Sequence, residues 1–178
     1  MPTLPAPTPP FTAALASGDH WLMVAICVPL VAVVVVLHYE ALERLNRALP
    51  RLPLPHRAQL LVLMFALLAV HTLEIWLYGI GLYLATQWPG LGQIAGVDEL
   101  ALLDAVYLST VTYTTVGYGD LTPQGPLRLL LGSEALSGFL LVTWSASFTY
   151  LEMQRNWTLD SGAGRTDRRQ RRATPQAE

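Results

Sequence analysis

Three long apolar runs constrain this chain more than any other feature. They are WLMVAICVPLVAVVVVLHY (Trp21–Tyr39), AQLLVLMFALLAVHTLEIWLYGIGLYLAT (Ala58–Thr86) and PLRLLLGSEALSGFLLVTWSASFTYLEM (Pro126–Met153). The first has close to the ~20 residues that a helix needs to cross a bilayer; the second is longer than that and is expected to tilt. Only 13 % of the 178 residues are charged, about half the share in a soluble domain, so the chain is a membrane protein. The pattern predicts an all-α fold of three transmembrane helices, with something shorter between the second and the third.

The connecting segments give the organisation. Residues 1–19 are rich in proline and are expected to be disordered and outside the cytoplasm. The first span is expected over 20–39. Glu40–Pro50 (EALERLNRALP) puts Leu42, Leu45 and Leu49 on one face and Glu43, Arg44 and Arg47 on the other. It is expected as a short amphipathic piece on the membrane surface, within a cytoplasmic linker over 40–57. Pro29 is expected to kink the first span, and Asp19 to cap its start. A helix is then expected over 58–86, a half-depth helix over 99–114 and a last span over 126–153. Residues 154–178 read as a basic, disordered tail. Cys27 reads as a buried packing residue, since a lone cysteine forms no internal disulfide.

All eleven basic residues are arginine. Four of them (Arg44, Arg47, Arg51, Arg57) lie between the first two spans and six in the tail. The positive-inside rule therefore puts the linker and the C-terminus in the cytoplasm and the N-terminus outside, in a multi-pass protein of the cell membrane.

The half-depth helix ELALLDAVYLSTVTYTT runs into TTVGYGD (Thr114–Asp120). Non-helical backbone at membrane depth survives only when buried in protein or lining a watery path. Glycine is costly in regular structure, so two glycines spaced by one residue demand a special backbone. Gly117 and Gly119 allow left-handed values, which let successive carbonyls point the same way. The partly negative end of the preceding helix favours a cation at that place.

The run Thr115–Gly119 (TVGYG) resembles the selectivity filter of potassium channels. The resemblance covers roughly 58–153, in the order outer helix, pore helix, filter and inner helix. It implies a potassium-selective channel. The ion would be held by the carbonyls of Thr115, Val116, Gly117 and Tyr118 with the Thr115 hydroxyl, and the filter over 115–119 would be completed by Gly119. One filter per chain implies a homotetramer in membrane lipid. Potassium is the transported ion; no resident cofactor, nucleic-acid partner or enzymatic activity is expected.

The resemblance also assigns supporting residues. Thr114 and Asp120 flank the filter. Where several members carry an aromatic pair that braces it, this chain has Tyr107 and Leu108. Tyr107 can bond to Asp120, and Leu108 cannot donate to Tyr118. Some members have a pore-helix glutamate behind the filter, and here Val111 stands in its place. Gly138 matches the family's gating hinge; close helix packing by a small residue explains it equally well. Helical spacing then places Phe139, Val142, Ala146 and Tyr150 toward the cavity.

His71, Glu74 and Glu134 lie inside spans, where ionisable residues are rare and usually paired. Helical rise puts Glu74 and Glu134 at similar heights near the pore helix. They are expected to form one buried cluster behind the filter, as filter support that tunes it or as plain helix–helix hydrogen bonding. Two readings compete with the channel: a non-conducting or auxiliary subunit, and an intramembrane metal-binding enzyme using His71, Glu74 and Glu134. No span carries arginine at every third position, so no voltage sensor of the usual kind is expected.

Overall fold

The computed structural model describes residues 17–173, with side chains through Arg155. Helix α1 spans Gly18–Ala48, α2 His56–Thr86, α3 Leu102–Tyr113 and α4 Leu127–Ala173. A single turn of 3-10 helix, Leu49–Arg51, follows α1. Among the described residues, three stretches are long and apolar enough to cross a membrane: Gly18–Arg51, His56–Thr86 and Leu127–Arg155. The all-α architecture expected from the hydropathy is present.

Several boundaries differ from the sequence reading. The amphipathic segment is not a separate surface piece, because α1 continues through it without a break. Leu42, Leu49, Leu63 and Leu67 form a buried cluster with Leu45, Leu52, Leu60 and Phe148 packed on it. The leucine face is thus covered by α2 and α4 of the same chain, leaving the Glu40–Arg44 and Glu43–Arg47 pairs on the open face. Pro50 then stops the α-helix by withholding a backbone N–H. Asp19 lies in the first turn of α1 while Ser17 holds the N-cap position, with no side-chain cap bond. The pore helix is shorter than expected, because Ala101 is extended (ψ 160°) and Tyr113 is the last helical residue. Helix α4 runs on to Ala173, so 154–173, expected as part of a disordered tail, is helical in backbone. No proline interrupts its hydrogen-bond ladder before Pro175. The expected N-terminal disorder falls on 1–16, which lies outside the described residues, as do 174–178.

The main core joins α1, α2, α3 and α4 around Met23, Tyr78, Leu82, Ala105, Leu108, Tyr113, Leu130 and Leu141. The pore helix sits chiefly on α2 and α4. At the outer end, two short strands, β1 (Ile94–Ala95) and β2 (Thr122–Pro123), pair antiparallel, with Ile94 opposite Pro123 and Ala95 opposite Thr122. Backbone bonds from Gln124 to Gln93 (2.9 Å) and from Leu127 to Leu91 (3.0 Å) extend the clasp. It ties the chain before the pore helix to the chain after the filter, so the intervening loop starts and ends at fixed points.

Candidate functional site: a filter loop and two buried polar networks

The pore helix ends at Tyr113, and the loop leaves its carbonyl end directly. Positive φ then occurs at every second residue: 61° at Thr115, 52° at Gly117 and 81° at Gly119. Alternating handedness of this kind turns successive carbonyls to one side. The glycines were foreseen; Thr115 was not, because a β-branched residue at positive φ is a genuine outlier. Such strain costs on the order of 1–3 kcal/mol and persists only where the surroundings enforce it. Here the Gly117 amide donates to the Val111 carbonyl (3.0 Å) and the Thr115 amide to the Thr112 carbonyl (2.9 Å). The Thr114 hydroxyl donates to the Thr110 carbonyl (2.7 Å).

At the outer end, the Tyr107 hydroxyl donates to Asp120 Oδ2 (2.9 Å), the contact the sequence pointed to. The accepting carboxylate holds the phenol above its ordinary pKa. The side chains of Leu108 and Val111 are buried in the core and carry no polar group. Between its two ends the loop is largely open in a single chain: Val116 is 55 % exposed and Tyr118 72 %. A β-carbon added at Gly117 or Gly119 would meet no atom within 4 Å, so backbone angle, not space, requires glycine there.

Gly138 faces the end of the pore helix. A β-carbon there would lie 2.9 Å from Tyr113 Cγ and 3.0 Å from its carbonyl carbon, with the carbonyl oxygen nearer still. The close-packing account of this glycine therefore has direct support. Phe139, Val142, Ala146 and Tyr150 share the exposed side of α4 in the single chain.

The three intramembrane ionisable residues do not form the single cluster expected. Glu74 is wholly buried and accepts from His38 Nδ1 on α1 (2.9 Å), His71 Nδ1 (3.1 Å) and the Tyr113 hydroxyl (2.5 Å). Ser145 Oγ on α4 lies 3.1 Å from His71 Nε2 and 3.3 Å from His38 Nε2. Glu134 belongs to a second network. Its Oε1 is hydrogen-bonded to Ser109 of the pore helix, which also reaches the Ile75 carbonyl (2.9 Å), and its Oε2 has no partner. Height was read correctly from helical rise, but rotation about the axes separates the two acids. Glu134 does stand against the pore helix, through Ser109. The metal-binding reading that included Glu134 fails on the same geometry. His38, which sequence reasoning missed, takes that place beside His71 and Glu74.

A family model described as an ion channel matches residues 60–154, from early in α2 into α4. The chain belongs to the ion channel family. The potassium-channel pore-domain resemblance read from the sequence is borne out at this level, and the family is one of channels, not of enzymes. Relatives match parts of the chain. The Protein LctB of Bacillus caldotenax is 48 % identical over 48 residues, 26 % of this chain and 36 % of that protein. Two-pore potassium channel 1 of Arabidopsis thaliana is 47 % identical over 51 residues, 28 % of this chain and 14 % of that one. The Protein LctB of Geobacillus stearothermophilus is 36 % identical over 67 residues, 38 % and 50 % of the respective chains. The chain thus spans half or less of these relatives' own lengths, and no solved structure matches it.

Proposed function

We propose that four copies of this chain form a potassium-selective channel that conducts passively down the ion's gradient. The observation that carries the reading is the alternation of positive φ at Thr115, Gly117 and Gly119 on a loop fed by a helix C-terminus. Carbonyls of Thr115, Val116, Gly117 and Tyr118, with the Thr115 hydroxyl, replace the hydration shell of potassium. The exposure of Val116 and Tyr118 supports enclosure by other copies, and one filter per chain fits four of them. Phe139, Val142, Ala146 and Tyr150 line the cavity below. Arginines at the facing ends of α1 and α2 and in the turn that joins them (Arg44, Arg47, Arg51, Arg57), and beyond the apolar part of α4, support an N-terminus outside the cell membrane and a cytoplasmic C-terminus.

The test is flux. Purified protein in liposomes with a potassium gradient carries potassium and excludes sodium, and the flux is blocked by barium and lost in Gly117→Ala. Equal potassium and sodium flux overturns selectivity. An intact oligomer silent under every gradient and pH favours a non-conducting subunit.

A further inference from the structure

The network around Glu74 has too few protons. Six contacts meet there: His38 Nδ1 to Glu74, His71 Nδ1 to Glu74 and to the Tyr113 hydroxyl, Tyr113 to Glu74, and Ser145 to each Nε2. Two neutral imidazoles, one phenol and one serine hydroxyl supply four protons. If both Nδ1 atoms carry hydrogen toward the carboxylate, both Nε2 atoms are bare and share a single serine proton. If either ring is reversed, its bare Nδ1 faces the carboxylate. Every neutral arrangement leaves lone pairs opposed, at groups that are fully buried at His38 and Glu74 and 16 % exposed at the His71 side chain.

A divalent cation among the ligating atoms removes the conflict. His38 and His71 then coordinate through Nδ1, and both Nε2–H groups donate to Ser145 Oγ, whose two lone pairs accept them. Tyr113 continues to donate to the carboxylate. Histidine ligands anchored through their second nitrogen, and a carboxylate held by a hydroxyl, are the usual outer shell of a metal site. The ligand atoms of His38, His71 and Glu74 already lie within 4.8 Å of one another. Tetrahedral zinc with bonds of about 2.0–2.1 Å sets its ligands about 3.3 Å apart. His38 Nδ1 lies 2.9 Å from Oε1 and His71 Nδ1 3.1 Å from Oε2, so the two imidazoles face separate oxygens of one carboxylate, and bringing one ligand atom from each residue to that spacing takes a shift of about 1.5 Å at most. Two imidazoles and a carboxylate, with a fourth position for water, suit zinc and its neighbours rather than calcium or magnesium.

We propose that His38, His71 and Glu74 bind a zinc-class divalent ion, with Ser145 and Tyr113 orienting the ligands. Its role is structural: it joins α1, which lies outside the matched pore segment, to α2 and, through Ser145, to α4. The site is independent of what the pore selects. The ion enters past His71, the partly exposed ligand.

The experiment uses the full chain, purified as its oligomer, stripped with chelator and titrated with cobalt(II). Visible bands of tetrahedral cobalt are expected, saturating at one ion per chain and erased by added zinc. His38→Gln and Glu74→Gln lose the bands. Ser145→Ala keeps them with affinity weakened by about 10–100-fold. Replacing the two remaining histidines, His20 and His56, leaves them unchanged. Absent bands in the parent overturn the proposal, and the network then holds an extra proton instead. Bands that survive in His38→Gln overturn it as well.

Discussion

Replacing Gly138 by alanine separates two accounts of the same residue. In a helix interior the change gains about 1 kcal/mol from backbone propensity. Against this, the new methyl would sit 2.9 Å from Tyr113 Cγ and 3.0 Å from its carbonyl carbon. Carbon atoms in contact rest about 3.5–4.0 Å apart, so α3 and α4 must separate by about 0.6 Å or more. The obstacle is largely backbone and cannot turn aside. Overpacking a tight core costs about 1–3 kcal/mol, occasionally more, and this site belongs at the upper end. The expected net loss is about 2 kcal/mol per chain. Because Tyr113 stands next to Thr114, the displacement also reaches the filter. Thermal unfolding of the purified oligomer should show a lower midpoint, and liposome flux a lower potassium-to-sodium ratio. Gly132→Ala is the paired control, since its β-carbon meets no atom of its own chain within 4 Å. Parent-like melting and selectivity in Gly138→Ala, with only the open probability altered, would refute the packing argument and favour a hinge.

Other substitutions probe the remaining contacts. Gly119→Ala forces a side chain onto φ 81°, at about 1–2 kcal/mol per chain, and should abolish selective flux while the oligomer persists on size-exclusion chromatography. Ser109→Ala removes the side-chain partner of Glu134 Oε1 and leaves both carboxylate oxygens without one; about 1–3 kcal/mol should be lost in thermal unfolding. Tyr107→Phe deletes the bond to Asp120 and should speed the decay of potassium current under sustained opening. The phenol's raised pKa favours its neutral donor form in the fold, so this bond is present below the ordinary tyrosine pKa of about 10 and is lost only as pH rises beyond it. Selectivity that falls between pH 6 and 8 in the parent but not in Tyr107→Phe would contradict that sign. Leu42→Ala should cost about 2–5 kcal/mol if α1 packs on its own chain, and almost nothing if its leucine face meets lipid.

What the sequence made legible follows from what each kind of pattern encodes. Hydropathy and length located three spans, and the TVGYG letters located the filter, because those signals are local. Helical rise put Glu74 and Glu134 at one height but says nothing of rotation, and rotation sends one to His38 and the other to Ser109. His38 sits near the end of an apolar run with no polar neighbour at helical spacing on α1. Its partner lies 36 residues away, a separation no periodicity reports. Leu42, Leu45 and Leu49 are equally consistent with a membrane surface and with a neighbouring helix, and only packing decides. The strain at Thr115 was invisible because residue preference argues against it.

That strain bears on how the filter and the assembly depend on each other. In one chain the loop is held at its inner end by the Gly117–Val111 bond and at its outer end by Tyr107 and the β1–β2 clasp. Between these points Val116 and Tyr118 are open, and Leu108 cannot donate to the loop. Two anchors fix where the loop starts and ends, but they do not by themselves make left-handed backbone favourable at a threonine. If copies of the chain close around the loop, their packing supplies the missing constraint. Ions between the carbonyls supply the rest, by offsetting the repulsion of dipoles aimed at one line. On this reasoning subunit association and ion occupancy stabilise each other, because both act on the same strained backbone. The oligomer should therefore melt at a higher temperature in potassium than in sodium at equal ionic strength, and the difference should vanish in Gly119→Ala. A potassium effect of full size in that variant would mean that the ion acts elsewhere in the assembly.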